Sequence, residues 1–130
     1  MLLKTALICM ALNVYYEARN QPIEGQMAVT YTILNRVIDS RFPDKICDVV
    51  YQGKHSRITG MPLRHKCQFS WYCDGRTDTP KDLDAYRWAE MIVRHVWEQR
   101  HNDLTSGSTH YHSIDVKPDW AKDKTFLKRI

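Results

Sequence analysis

A chain of 130 residues with 43% hydrophobic residues is long enough to bury one core, so a single compact domain is the expectation. Nineteen Lys and Arg against fifteen Asp and Glu leave a net charge of +4, a mild basic excess that favours anionic partners. The basic residues are scattered, without an unbroken run, so the charge reads as a solvated surface and no nucleic-acid partner is expected.

The chain opens on Leu3, Leu7, Met10 and Val14 at steps of three and four, the spacing of one helix face. Lys4 ahead of the apolar run Ala6 to Leu12 resembles a secretory leader superficially. The run is short, lacks a small-residue cleavage site and continues with helical period, so neither a leader nor a membrane span is expected. Glu17 continues the stripe, while Arg19 points the opposite way. A carboxylate on the inner side of a helix end loses water, which raises its pKa and favours the protonated form needed by a general acid. Pro22 ends this helix near Asn20 and suits the first turn of a second one, with Met27, Tyr31, Leu34 and Ile38 along one face. Asp44 is the expected N-cap of a short helix carrying Ile46, Cys47, Val49 and Val50.

From Gly53 to Lys66 the chain reads as a loop, an exposed basic flap with Lys54, His55, Arg57, Arg64, His65 and Lys66. The aromatic stretch Gln68 to Cys73 reads as a short strand or hairpin edge before the Asp74-Gly75 turn. Thr79 as N-cap and Pro80 at the first position open a third long helix, with Ala85, Trp88, Ala89, Ile92 and Val96 inward, running to about His101. Beyond it, His110-Tyr111-His112 is the expectation for a short strand and Pro118 with Trp120 for a packed turn. Of the four cysteines, Cys67 with Cys73 and Cys47 with Cys73 are the pairs to examine first.

Taken together, Ala11-Leu-Asn-Val-Tyr-Tyr-Glu-Ala-Arg19, Glu24-Gly-Gln26 and Leu34-Asn-Arg-Val37 resemble the opening of the SleB-type cell wall hydrolases, which include spore-cortex-lytic enzymes and phage endolysins. The resemblance continues through Phe42-Pro43, Ile46-Cys47, Val49-Val-Tyr-Gln52, Gln68-Phe-Ser-Trp71, Tyr111-His112 and Pro118-Asp-Trp-Ala121, nearly the whole chain. Two departures stand out: the Gly53 to Lys66 stretch looks longer than in the spore enzymes, and the chain ends at Ile130 where relatives commonly continue with another strand.

The resemblance implies an α+β, mainly helical, lysozyme-like single domain over residues 1–130 with a small β element. It also implies cleavage of the bond between N-acetylmuramic acid and N-acetylglucosamine, often as a lytic transglycosylase, with the family's catalytic Glu falling on Glu17. Such an enzyme needs no cofactor and no metal. Gln68, Ser70, Trp71 and Tyr111 are the expected substrate-binding residues, since sugars offer an apolar face for stacking and hydroxyl or acetamido edges for hydrogen bonds. Gln26, Asn35 and Arg36 match family motifs and read as braces between the first two helices. A hydrolytic muramidase would pair Glu17 with a second carboxylate, for which Glu24, Asp74 and Asp115 are candidates. A zinc amidase built on His110, His112 and another histidine or cysteine, and a non-catalytic binding module built on the basic flap, are the rival readings. The expected partner is the peptidoglycan glycan strand, bound by a monomer. With no leader and no wall-binding module visible, the expectation is a phage-type lysis enzyme made in the cytoplasm and acting on the wall.

Overall fold

A computed structural model describes residues 2–113, 118–127 and 129–130, and for Leu2 the backbone alone. Helix α1 spans Leu2–Ala18, α2 Ile23–Ile38, α3 Ile46–Val50 and α4 Leu83–Glu98. A two-stranded antiparallel sheet, β1 Gly53–His55 and β2 Pro62–Cys67, separates α3 from α4, and 3-10 turns cover Ser70–Cys73 and Asp119–Asp123. The architecture is mainly helical α+β, as expected from the sequence.

Helix α1 is the central element, packed against α2, α3 and α4. Its inner stripe holds: Met10 and Val14 are fully buried, and Leu7 packs on the core's edge, while Leu3 lies outside it. Between α1 and α2 the chain turns on Pro22, which stands at the N-cap position, and Gln26 closes the joint. The Gln26 Nε2 donates to the carbonyls of Ala18 (3.1 Å) and Arg19 (3.3 Å), acceptors that a helix C-terminus leaves unpaired. Its Oε1 accepts from Trp88 Nε1 at 2.8 Å, tying α4 to the same point. Gln26 is thus the brace between the first two helices that its motif led us to expect.

Several expectations change. The Gly53 to Lys66 stretch is a hairpin rather than a loop. Gly53 pairs with Cys67 and His55 with Pro62, an irregular register in which His65 adopts a positive φ of 62°. Gln68 to Cys73 is not a strand edge: it closes as a 3-10 turn over Ser70–Cys73, with Tyr72 N donating to Phe69 O. Helix α4 starts three residues later than Thr79 and Pro80 imply, because Asp82 is the cap, its carboxylate accepting from Ala85 N at 3.0 Å. The short α3 starts after Lys45, not Asp44. Ile38 and Trp88 sit at the edge of their helix faces and are 83% and 41% exposed, and Val93 takes the inner position on α4. The segment around His110 to His112 carries no strand.

Two disulfides use all four cysteines, Cys9–Cys47 and Cys67–Cys73. The second is a pair expected from the sequence. Cys47 bonds Cys9 instead of Cys73, fastening α3 to α1.

Candidate active site

Glu17 stands in the last turn of α1, half-buried, on one wall of a cleft of about 220 Å³. The other walls are Arg36 from α2, Gln68 and Phe69 from the segment after β2, His110 and Tyr111 from the segment after α4, and Trp120 from the last 3-10 turn. Four other stretches distant in sequence therefore converge on one carboxylate. Among the described residues lining the cleft, Glu17 is the only acid.

Burial raises the pKa of Glu17 above the ordinary carboxylate value, and the Arg36 guanidinium opposes that rise. Tyr111 is driven far up, first by burial and then by Glu17, with Arg36 and the Asn13 side chain pulling the other way. It is a neutral phenol throughout the physiological range. The pKa of His110 is lowered by burial and by Arg36, Lys124 and Arg41, against a weaker pull from Asp39. Its Nδ1 lies 3.0 Å from Thr109 Oγ1, and its ring packs on Trp120 and Phe42 with centroids 5.2 and 6.0 Å away.

Of the two α2 residues that sequence reasoning left out of the site, Arg36 lines the cleft and Asn35 lies behind it, bonded to the chain after α4. Asn35 Nδ2 donates to Asp103 Oδ2 (2.8 Å) and to the Ser108 carbonyl (2.9 Å). Asp103 in turn accepts from Thr105 N and Oγ1, both at 2.7 Å, and from Gly107 N at 2.8 Å. Arg36 Nε donates to the Thr109 carbonyl at 2.7 Å. The Asn-Arg pair on α2 thus holds the irregular chain that delivers His110 and Tyr111. The missed signal was the pair itself: two adjacent polar residues inside an apolar helix ask for partners from outside that helix.

Of the expected substrate contacts, Gln68 and Tyr111 stand in the cleft with Glu17. Ser70 is exposed at the start of the 3-10 turn and does not line it, nor does Trp71. Trp71 is 5% exposed, its Nε1 donates to Asn13 Oδ1 at 2.9 Å, and the Tyr16 ring stacks on it at 5.0 Å. Of the proposed second carboxylates, Glu24 is exposed in the first turn of α2, and Asp74 receives Arg76 N at 2.8 Å in its own turn. Asp115 lies outside the described residues.

A mainly helical domain with one partly buried carboxylate in a cleft edged by aromatic rings and the Gln68 amide is of a class with the parts for proton transfer to a bound polar ligand. Comparison narrows the class. Residues 20–130 match the family described as Cell Wall Hydrolase, and the chain belongs to that family. A spore cortex-lytic enzyme of Halalkalibacterium halodurans is 46% identical over 122 residues, covering 93% of this chain and 31% of that protein. Further spore cortex-lytic enzymes, from Oceanobacillus iheyensis and Bacillus subtilis, are 49% and 42% identical over 45 and 43 residues, covering 35% and 33% of this chain and 16% and 14% of those proteins. The chain therefore spans less than a third of the length of these curated relatives. No solved structure matches it.

Proposed function

We propose that this chain cleaves peptidoglycan glycan strands between N-acetylmuramic acid and N-acetylglucosamine as a lytic transglycosylase, with Glu17 as both acid and base. The observation that carries this reading is the solitary, desolvated carboxylate of Glu17 in the aromatic-edged cleft. Family membership and the spore cortex-lytic relatives support the substrate.

In the first step protonated Glu17 gives its proton to the glycosidic oxygen as the bond from the muramic C1 to that oxygen breaks. The C6 hydroxyl of the same muramic sugar then attacks C1, and its proton passes to the Glu17 carboxylate. The products are a free 4-hydroxyl on one fragment and a 1,6-anhydromuramic end on the other, with Glu17 protonated again. One carboxylate serves both steps, which agrees with the absence of a second acid among the described residues lining the cleft. A hydrolytic muramidase would place water where the C6 hydroxyl attacks and would call on a second carboxylate to activate it.

Gln68 and Tyr111 are the residues we assign to the sugar within the cleft. The lysozyme-like character of the domain, action as a monomer and a role in phage-type lysis belong to the same proposal. Among the described residues all four cysteines are in disulfides and no group of three or more metal-ligating side chains converges. No helix among the described residues is long and apolar enough to cross a membrane.

The proposal is tested by the chemistry of the new ends. Purified peptidoglycan digested in chelator should yield 1,6-anhydromuropeptides. Reducing muramic ends would contradict the transglycosylase assignment, and release of stem peptides without glycan cleavage would contradict the glycosidase.

A further inference from the structure

Arg36 is 4% exposed, yet among the described residues no carboxylate lies within ion-pair distance of it. Its Nε is held by the Thr109 carbonyl, and the face of its guanidinium lies over the rings of Phe42 and Phe69, with centroids 4.9 and 5.3 Å away. The terminal Nη1 is buried with no partner. An uncompensated buried cation is expensive, and a packed core normally pairs it or replaces it with an apolar side chain. Here the cation stays, fixed on three sides, on the wall of the cleft that holds Glu17.

We propose that Arg36 is a positioning residue for Glu17, a fixed buried cation that stabilises the carboxylate each time Glu17 gives up its proton. The inference rests on the reading of Glu17 as the acid, and it explains a need that reading creates. Desolvation alone would make Glu17 a good proton holder and a poor proton donor, because the carboxylate left behind would sit without water. A cation near it, but short of a direct ion pair, narrows the gap between the two protonation states. The same group can then donate and accept near the working pH. The other titratable groups facing this pair are Tyr111 and His110, from the segment after α4. Tyr111 remains a neutral phenol and the pKa of His110 is pushed down, so Arg36 supplies the lasting positive charge among the described residues lining the cleft.

The test is a direct titration of the Glu17 carboxyl by NMR on protein carrying 13C-labelled glutamate, with Glu17→Gln assigning the signal by its loss. In Arg36→Gln the Glu17 midpoint should rise by roughly one unit or more, and Arg36→Lys should fall between that variant and the wild type. On glycan fragments in solution, Arg36→Gln should lower kcat about tenfold or more with KM nearly held, and move the alkaline limb of the rate profile upward with the midpoint. Should Arg36→Gln not fold, the wild type carries the test alone. The 15N signal of the Arg36 side chain should then shift with the Glu17 midpoint and lose that shift in Glu17→Gln.

An unchanged Glu17 midpoint in folded Arg36→Gln, or an Arg36 signal indifferent to Glu17, overturns the proposal. A Glu17→Gln enzyme that still cleaves at the wild-type rate would overturn the catalytic reading separately, whatever the NMR coupling between the two residues.

Discussion

The indole Nε1 of Trp71 donates to the side-chain oxygen of Asn13 at 2.9 Å, joining the 3-10 turn to α1 one helical turn before Glu17. Both residues are buried, Asn13 completely. The bond fixes the sheet side of the molecule against the helix end that presents the acid. It also accounts for an asparagine in a stripe otherwise made of Met10, Ala11 and Val14.

Removing that acceptor leaves the indole N–H without a partner in the core. Asn13→Ala is therefore expected to cost about 1–3 kcal/mol, seen as a lower urea midpoint, whereas Trp71→Phe, which removes the donor as well as some ring area, leaves the Asn13 side-chain oxygen unsatisfied in turn. An Asn13→Ala protein as stable as the wild type would mean that water replaces the bond.

The raised pKa of Glu17 has a definite sign in stability. A carboxyl that holds its proton more tightly in the folded than in the unfolded chain stabilises the fold below the unfolded value, and that contribution fades as pH rises through the folded value. Starting near the ordinary 4.5, the wild type should lose stability relative to Glu17→Gln as pH climbs toward neutrality. Thermal melts of both proteins across that range check it. Parallel curves would show no net shift of the Glu17 pKa on folding and would contradict this reading.

The two disulfides should differ in weight. Cys9–Cys47 closes a separation of 38 residues and Cys67–Cys73 one of 6. Loop-closure entropy gives about 4 kcal/mol for the first and about 2 kcal/mol for the second. Unfolding of the two double-alanine variants should preserve that order. Loss of Cys67–Cys73 should lower activity as well, because Gln68 and Phe69 lie within its loop and line the cleft.

Gly53 has no room for a side chain. A Cβ there would lie 2.8 Å from the Lys66 carbonyl oxygen and 2.9 Å from both the Cα and the sulfur of Cys67. These are backbone and disulfide atoms that cannot swing aside, so Gly53→Ala should destabilise the hairpin by about 1–3 kcal/mol. Faster proteolysis between Gly53 and Cys67 is the expected readout.

Much of this arrangement was legible in the sequence. The long helices followed from three-and-four spacing, and the partial burial of Glu17 from its place at the end of the α1 stripe. The hairpin was hidden because its residues face solvent on both sides: β1 is wholly exposed, β2 nearly so, and no alternation of apolar and polar residues marks either strand. The start of α4 was misplaced because Thr79-Pro80 is a textual match for a cap, while Asp82 has the geometry to reach Ala85 N. Trp71 looked like a sugar platform, since an aromatic residue beside amides fits that role as well as it fits a core. Only the position of Asn13 across the fold decides where the indole goes. The surroundings of Arg36 were hidden for the same reason: its partners, Thr109, Phe42 and Phe69, come from other parts of the chain.

The central claim is that Glu17 performs the cleavage, and mass spectrometry of the muropeptides released from purified peptidoglycan by the wild type and by Glu17→Gln tests it most directly. The account expects anhydromuropeptides from the wild type and none above background from Glu17→Gln, with the variant's circular dichroism and melting retained. Anhydromuropeptides at wild-type yield from a folded Glu17→Gln protein would contradict it.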